Sequence, residues 1–453
     1  MSPTKQSAVT IRTLFLLCTL LPQWACAQAT DQVWGYKVKS GDRLIDIAKV
    51  FQKSPQEWKK LQQKNAVSDP KLLMPGKQLN IAINDLKQGE PTAEAVLVHG
   101  DVQRLDAAGK PAGKLSSGEV LKMGDTVQTE ARSTLTIRFA DGSRMLVTQN
   151  SKVNLASLVN FGKTGMADTK VRVLQGGIDS QVMPQKGPAS KYEINTPAIN
   201  LAVRGTGFRV QVDEASGSTR TEVVEGLVAG SSSGSSEARI AGGFGIFAEP
   251  GKILGQPLKL LASPRLAPAA SVVSRLPASF GWQALQGAQK YRLQLLASVQ
   301  GFETIIVDEL LDNTSVQWDS LTEGDYVLRV RGVDSVGLEG ADAIWAFQIL
   351  THPEPPVITQ PANGHLSDSG RVLFRWESAA QADKYTFQLA QDANFTRMVA
   401  MVPQIAKATQ GVLLALPPGQ YFWRVASINS VGKVGPYSDA YTFSQRSAPN
   451  PAN

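Results

Sequence analysis

Apolar and polar positions follow regular periods along this chain and divide it into one short helical segment and a long series of strands. The helical segment comes first. Apolar residues recur there at i, i+3, i+4 and i+7, at Leu44, Ile47, Ala48 and Phe51. This spacing predicts an amphipathic helix. Alternating Tyr36 and Val38 before it predict a short strand.

A second helix and a closing strand are predicted after the first helix. Ser54 and Glu57 have the spacing of a capping box, with Pro55 at the first helical position. Asn65 is predicted to take the left-handed conformation that ends the helix. After a turn at Pro75-Gly76, the alternating residues Leu79, Ile81 and Ile83 predict the closing strand.

Two motifs in this segment point to a known family. The chain reads Y-K-V-K-S-G-D-R-L-I-D-I-A from Tyr36 and L-L-M-P-G-K-Q-L-N-I from Leu72. Residues 34–84 thereby resemble a LysM module, a small βααβ unit that binds glycans containing N-acetylglucosamine. The resemblance implies a groove between the loop after the first strand and the loop before the second. The glycan-binding residues that it implies are Gly41, Asp42, Arg43, Leu44, Met74, Pro75 and Gly76.

The groove departs from the family pattern at one position. Arg43 stands where LysM modules usually have Ser or Thr. Backbone amides and apolar side chains of the two loops suit a neutral acetamido sugar. A LysM fold with a weak groove is the alternative interpretation, because a fold does not by itself fix a function.

The region from residue 95 to 255 has the pattern of short strands separated by glycine turns. Leu135, Ile137 and Phe139 share one strand face, and Asp141-Gly142 predicts a hairpin turn. Further on, V-R-G-T-G-F-R-V begins at Val203, after G-D-T-V-Q-T at Gly124 and F-A-D-G-S at Phe139. These strings resemble a FecR domain, a domain found in periplasmic sensors and in other exported proteins. The Gly205 and Gly207 pair predicts a tight bend rather than a phosphate-binding loop.

The last third of the chain is an internal repeat. Equivalent residues recur at a spacing of 94 to 96 positions, as in Trp282 and Trp376, Tyr291 and Tyr385, Tyr326 and Tyr421, Arg329 and Arg424, and Phe347 and Phe443. A Pro/Ala/Ser-rich linker is predicted over residues 256–278, followed by β-sandwiches at 279–351 and 356–446. Both copies resemble fibronectin type III domains. The fold class is therefore predicted as multidomain and mainly β.

The N-terminus has the features of a secretory signal peptide over residues 1–27. Lys5 and Arg12 precede the apolar stretch 14–21, and small residues surround Cys26. That stretch is shorter than the roughly 20 residues needed to span a bilayer. A retained anchor and a lipoprotein cut before Cys26 are the alternatives. We expect an exported protein of the periplasm or cell envelope with no membrane span after cleavage.

The distribution of charge indicates which kinds of ligand the first module suits. The formal net charge is +7. Residues 31–90 hold eleven Lys and Arg against seven Asp and Glu, so much of the positive charge lies in the first module. Such a module suits an anionic polymer, cell wall or nucleic acid, or is simply a solvated face. The LysM resemblance favours peptidoglycan over nucleic acid.

The sequence offers little for catalysis or metal binding. The three histidines are scattered, at His99, His352 and His365, and both cysteines lie within the predicted signal. A histidine-based triad, a zinc site and a cofactor are therefore not predicted. A carboxylate pair of the glycosidase type is the enzymatic alternative, since the chain has 39 acidic residues.

Two functions are consistent with these features. The first is a non-catalytic envelope protein that binds peptidoglycan and presents the other domains as a scaffold or interaction platform. The second is a sensory or regulatory protein whose FecR-like domain receives a signal from an envelope protein partner.

Overall fold

The computed structural model describes residues 32–446, with gaps at 107, 233, 235–236, 300–301, 369–370 and 407–410. The predicted signal peptide lies outside the described residues. The chain divides into two compact units at Leu86 and Lys87. Strands account for 52% of the chain and helices for 6%, so the mainly β prediction is confirmed.

The first unit, here called the first module, has the predicted βααβ order. Its elements are β1 (Val33–Lys37), α1 (Leu44–Phe51), α2 (Trp58–Lys64) and β2 (Gln78–Ala82), with 3₁₀ turns at Pro55–Glu57 and Ile83–Asp85. Strands β1 and β2 are antiparallel and pair Tyr36 with Leu79. Leu44, Leu79 and Ile81 have no exposed surface, so burial of the periodic positions holds the helices on the sheet.

The ends of helix α2 differ in part from the prediction. The Ser54 hydroxyl accepts a hydrogen bond from the Gln56 amide rather than from Glu57. Ala66, not Asn65, takes the left-handed conformation, with φ of 46°. The Asn65 side chain instead donates to Leu61 O and Asn80 O and accepts from the Asn80 amide. Its amide group therefore ties the end of α2 to β2, a long-range role that sequence spacing does not reveal.

The second unit begins with a domain of seventeen strands, here called the middle domain. Its strands are β3 (Thr92–His99), β4 (Val102–Leu105), β5 (Pro111–Lys114), β6 (Val120–Lys122), β7 (Thr126–Thr129), β8 (Thr134–Arg138), β9 (Arg144–Val147), β10 (Ser151–Asn160), β11 (Ala167–Gln181), β12 (Lys191–Asn195), β13 (Asn200–Val203), β14 (Gly207–Val212), β15 (Thr219–Glu225), β16 (Leu227–Ser231), β17 (Ala238–Ala241), β18 (Phe244–Ala248) and β19 (Leu258–Lys259).

The middle domain is built from two sheets that share the long strand β11. Sheet A has the order β6-β3-β8-β9-β11-β14-β15-β18-β19, and sheet B has the order β5-β4-β7-β10-β11-β12-β13-β16-β17. All neighbours are antiparallel except β11 and β12. One continuous apolar core fills the space between the sheets, as in a β-sandwich.

The two local predictions for this domain hold. β8 and β9 form a hairpin in which Leu135 pairs with Val147, and Gly142 in its turn has a φ of 92°. Gly205, with φ of 64°, lies between β13 of sheet B and β14 of sheet A. The glycine-containing motif is therefore a bend at which the chain passes from one sheet to the other.

Two β-sandwiches complete the second unit. The first sandwich comprises β20 (Val272–Val273), β21 (Ala278–Gly281), β22 (Lys290–Val299), β23 (Phe302–Leu311), β24 (Ser315–Trp318), β25 (Gly324–Val333) and β26 (Ala343–Ile349). The second comprises β27 (Ile358–Gln360), β28 (His365–Ser367), β29 (Arg371–Trp376), β30 (Lys384–Ala390), β31 (Met398–Ala406), β32 (Gly411–Ala415), β33 (Gly419–Ile428), β34 (Val434–Tyr437) and β35 (Tyr441–Gln445).

The repeated aromatic residues form equivalent core contacts in the two sandwiches. Tyr326 stacks on Phe347 at 5.6 Å between ring centroids, and Tyr421 stacks on Phe443 at 5.3 Å. Each tyrosine hydroxyl donates to a carbonyl four residues earlier, at 2.8 and 2.9 Å. These aromatic side chains are buried, so they are core residues rather than a sugar-binding surface.

The segment 256–278 is paired with both neighbouring domains rather than extended as a free linker. Its strand β19 pairs with β18 of the middle domain, and its strand β20 pairs in parallel with β26 of the first sandwich. Between them, Leu261 O accepts the Ala341 amide at 2.9 Å. The proline and alanine content predicted a linker here. The composition of the segment does not reveal its pairing, because the segment forms backbone hydrogen bonds with strands outside it.

Sheet A carries a row of charged residues on its outer face. Asp179, Arg209 and Glu222 are direct cross-strand partners on β11, β14 and β15. Strand alternation places them on the side opposite the apolar core. Arg209 is nevertheless only 5% exposed and Glu222 only 2% exposed, so another part of the second unit covers this row.

The covering surface is a charged row on the first sandwich. Arg292 and Arg331 are cross-strand partners on β22 and β25. Both guanidinium groups bind Glu339, at 2.9 and 2.5 Å, and Arg331 also binds Asp342 at 2.8 Å. These side chains are largely or wholly buried against sheet A.

Hydrogen bonds join the two rows directly. Arg209 Nη2 donates to the carbonyl oxygens of Glu339 at 3.0 Å and Gly340 at 2.7 Å. The Glu339 amide donates to the Glu222 carboxylate at 3.2 Å. We call Asp179, Arg209, Glu222, Arg292, Arg331, Glu339 and Asp342 together the ionic cluster. It fixes the middle domain to the first sandwich, since a buried charge without its partner is costly.

The second sandwich lacks this cluster. The positions equivalent to Arg292, Arg331, Glu339 and Asp342 are Thr386, Ala426, Val434 and Tyr437. Arg424, the repeat partner of Arg329, has its guanidinium 3.9 Å from the ring centroid of Phe395 and 4.2 Å from that of Tyr437. The two copies therefore share a core but differ on this face, and only the first is charged to match sheet A.

The two glutamates of the cluster have opposite pKa shifts. Burial raises the pKa of Glu222 to about 7, against the opposing attraction of Arg209. Burial also acts to raise the pKa of Glu339, but the positive charges of Arg331, Arg292 and Arg209 outweigh burial and lower it to about 2. The folded state thus favours a proton on Glu222 and a charge on Glu339.

We expect the free energy of unfolding of the middle domain and first sandwich to fall as pH rises from 5 to 8. The folded state holds a proton on Glu222 that the unfolded chain, with a carboxyl pKa of 4.5, releases. The loss should be on the order of 2–3 kcal/mol. Glu222→Gln keeps the acceptor for the Glu339 amide and should remove most of this slope in urea unfolding.

Glu225→Gln is the matched control, because Glu225 lies on the same strand but is exposed. It should keep the slope of the unchanged protein. An equal slope in the Glu222→Gln protein would show that Glu222 does not carry the effect. The charged Glu339 carboxylate also contributes to the free energy of unfolding. That contribution is lost only below pH 4.5, which is outside the measured range.

Candidate functional site: the groove between two loops of the first module

Two loops of the first module face each other. The first loop runs from Val38 to Arg43 and the second from Pro70 to Lys77. At one end Gly76 N donates to Val38 O at 2.8 Å, and at the other Leu44 N donates to Pro70 O at 3.0 Å. The backbones are joined at these two points, and the exposed residues between them border the candidate groove.

Each loop turns at a glycine with positive φ. Gly41 has a φ of 85° and Gly76 a φ of 87°, and both are exposed. A Cβ at either position would meet no atom within 4 Å. Space therefore does not require glycine, but the left-handed backbone does. Both predicted glycines shape the loops and leave room above them.

Asp42 is used within the first loop. Its Oδ2 accepts hydrogen bonds from the Tyr36 hydroxyl and the Lys39 amide, both at 2.7 Å. Burial, and then the hydrogen bond to Asp42, raises the pKa of Tyr36 to about 12. Tyr36 therefore stays protonated and donates to Asp42. This pair holds the loop in shape, with the Asp42 carboxylate facing partly inward.

Arg43 is the N-cap residue of α1 but does not cap the helix through its side chain. Its backbone is extended, with φ of −123° and ψ of 148°, and no side-chain cap bond forms. The guanidinium Nε instead binds Asp46 Oδ2 at 2.7 Å, and the Arg43 side chain is 60% exposed. The replacement of Ser or Thr by arginine thus exchanges a helix cap for an exposed cation beside the groove.

The predicted apolar residues separate into core and surface. Leu44 is fully buried, so it supports the first loop from below. Met74 is 75% exposed on the second loop, and Pro75 is also exposed. Leu72, which the sequence analysis did not select, is 78% exposed. In the run Leu72-Leu73-Met74 only Leu73 is buried, an alternation that could have identified Leu72.

Comparison with protein families finds two matches. Residues 36–82 match the LysM domain model. Residues 125–229, in the middle domain, match the FecR protein model. The LysM match indicates peptidoglycan binding, and both domains are typical of cell-envelope proteins and are binding or regulatory rather than catalytic. A comparison with curated proteins found no significant match.

Solved structures show weak similarity to parts of the chain. A candidate anti-sigma factor from Parabacteroides distasonis is 15% identical over 30% of this chain and 58% of its own length, with a TM-score of 0.24. Three fibronectin domains of chicken CNTN1 are 14% identical over 57% of this chain and 98% of theirs, with a TM-score of 0.19. Fibronectin(III)-like modules of Clostridium thermocellum CbhA are 9% identical over 42% and 90%, with a TM-score of 0.18.

In the described part of the chain, no helix is both long and apolar enough to cross a lipid bilayer. Within the same ranges, His, Cys, Asp and Glu side chains do not converge in groups of three that could hold a metal ion.

We expect Arg43→Thr to stabilise helix α1 relative to Arg43→Ala by about 1 kcal/mol. The extended backbone at Arg43 lets a threonine hydroxyl accept the Asp46 amide, whereas alanine offers no acceptor. Both substitutions remove the exposed Arg43–Asp46 ion pair, so their difference isolates the cap. Amide hydrogen exchange over residues 44–51 measures it. Equal exchange in the two variants would show that position 43 cannot be capped.

Proposed function

We propose that this protein is a non-catalytic component of the cell envelope that binds peptidoglycan through its first module. The middle domain and the two sandwiches then serve as a scaffold or interaction platform. The observation that carries the proposal is the geometry of the groove. Two loops are joined at both ends, and exposed apolar side chains lie between the joined points on a module that matches LysM.

The chemistry of the groove fits an N-acetylated sugar. Met74, Pro75 and Leu72 offer apolar surface for the acetamide methyl group and the sugar ring. The glycine turns at Gly41 and Gly76 leave the backbone accessible to the amide of the ligand. Asp42, Arg43 and Leu44 complete the proposed site, with Leu44 acting as support for the loop.

Peptidoglycan sedimentation tests this proposal. We expect the protein from residue 28 onward to sediment with purified sacculi, and the combined Leu72→Ser and Met74→Ser changes to weaken binding about tenfold or more. Each change removes exposed apolar contact and adds no strain to the core. Deletion of residues 32–86 should abolish sedimentation.

Val50→Ser is the matched control. Val50 is 39% exposed at the far end of α1 and lies in neither loop. This variant should bind like the unchanged protein. Sedimentation that survives the deletion of residues 32–86 would place wall binding elsewhere in the chain and overturn the proposal.

The FecR match favours a second candidate, a sensory or regulatory role for the middle domain. This role requires a specific envelope protein that contacts residues 95–255. Photo-crosslinking from exposed sites on that domain, followed by mass spectrometry, should then recover one partner protein reproducibly. Recovery of wall fragments alone would favour the scaffold. The charged row of sheet A that contains Arg209 is a poor site for the crosslinker, because the first sandwich already covers it.

A further inference from the structure

We propose that the groove selects a glycan that carries carboxylates, and that peptidoglycan with its peptide stems therefore binds in preference to neutral chitin. The inference rests on the proposed function and specifies its ligand. It is carried by exposed cationic side chains at both ends of the groove.

One end of the groove is marked by Lys39 and Lys77. Gly76 N donates to Val38 O at 2.8 Å, and Val38 N donates to Lys77 O at 2.9 Å. These two bonds bring the residue after Val38 and the residue after Gly76 to the same end. Lys39 and Lys77 are both exposed. Their long side chains can extend past the backbone toward a ligand that leaves the groove at this end.

The other end is marked by Arg43 and Lys71. Leu44 N donates to Pro70 O at 3.0 Å, so the residue before Leu44 and the residue after Pro70 are neighbours in space. The side chains of Arg43 and Lys71 are both exposed. The apolar part of the second loop, Leu72 to Pro75, thus lies between two lysines at one end and, at the other, Lys71 and an arginine that also binds Asp46.

Asp42 of the first loop and Asp69, which directly precedes the second loop, accept hydrogen bonds from nearby donors. Asp42 accepts from Tyr36 and Lys39 N, and Asp69 Oδ1 accepts from the Lys71 amide at 2.8 Å. Within the described chain, Lys39, Lys71 and Lys77 have no carboxylate partner at ion-pair distance. Acids are therefore held to the loop backbone, whereas the lysine ammonium groups remain available to a ligand.

The chemistry of the polymer supplies the matching charge. Chitin repeats one neutral sugar, whereas every second sugar of peptidoglycan bears a lactyl group and a peptide stem with free carboxylates. A strand lying in the groove passes both ends and brings such carboxylates within reach of the lysines. Exposed ion pairs of this kind are individually weak and sensitive to salt, so they add selectivity to a contact that the apolar loop already makes.

Three insoluble ligands test the inference with the protein from residue 28 onward. These are sacculi treated with hydrofluoric acid to remove wall-linked anionic polymers, the same sacculi with carboxylates capped as neutral amides by carbodiimide and ethanolamine, and chitin. We expect capping to weaken binding about fivefold, to the level of chitin. Raising NaCl from about 50 to about 500 mM should weaken binding to uncapped sacculi alone.

Matched variants assign the effect to the groove. Lys71→Gln with Lys77→Gln should remove the preference for uncapped sacculi and leave chitin binding unchanged. Lys53→Gln with Lys60→Gln removes the same charge from exposed positions outside both loops and should leave the preference intact. Equal loss from both pairs would show a general charge effect and overturn the inference.

The outcomes separate the inference from the proposed function. Equal, salt-independent binding to all three ligands would overturn the preference for carboxylates and leave glycan binding in place. If the protein binds untreated sacculi but not sacculi treated with hydrofluoric acid, the anionic groups that it binds belong to wall-linked polymers. That result would overturn the role of the peptide stems. Failure to bind any of the three ligands, or untreated sacculi, would overturn the proposed function itself.

Discussion

The second unit depends on buried charge pairs between two β-sheets. The outer face of sheet A and the outer face of the first sandwich would each be an ordinary polar surface if exposed. Here Arg209, Arg331 and Glu339 are buried between them, and each guanidinium has carboxylate or carbonyl acceptors. Separation of the sheets would expose this cluster to water, whereas loss of one partner leaves a buried charge uncompensated. The contact is therefore specific for this pair of surfaces, and it makes the middle domain and the first sandwich one structural element.

The repeat shows how such specificity can arise on a common core. Both sandwiches keep the tyrosine stack and its hydroxyl bond to a carbonyl four residues earlier. The charged positions of the first copy are uncharged in the second, where Arg424 packs on aromatic rings instead. The core residues thus determine the sandwich fold, whereas a few residues on its outer face determine whether it packs against sheet A. A partner of the middle domain has to use surfaces other than the covered row.

The first module depends on local interactions that are readable in sequence. Helix α1 and the two loop glycines appear where periodicity and turn chemistry place them. Strand β2 does so at Leu79 and Ile81, whereas Ile83 begins a 3₁₀ turn instead of continuing the strand. The features that the sequence did not show are long-range or depend on exposure. Asn65 ends helix α2 without the left-handed conformation, and its side chain bridges to β2. Leu44 lies in the core beneath the first loop. Spacing along a chain identifies a loop, but it does not say which loop side chains face outward.

The sequence by itself determined the order of the domains, the βααβ module, the hairpin at Gly142 and the repeat of the sandwiches, because each follows from contacts among near neighbours or from direct repetition. Tertiary structure alone decided that strand residues with an outward, polar pattern, such as Arg209 and Glu222, are buried. It also decided that residues 256–278 pair with both neighbouring domains. In both cases the outcome depends on which surface packs against the residues, and a local sequence pattern does not specify that surface. For Arg209 and Glu222 it lies more than a hundred residues away in the chain. Residues 256–278 pair with one strand that precedes them and one that follows them.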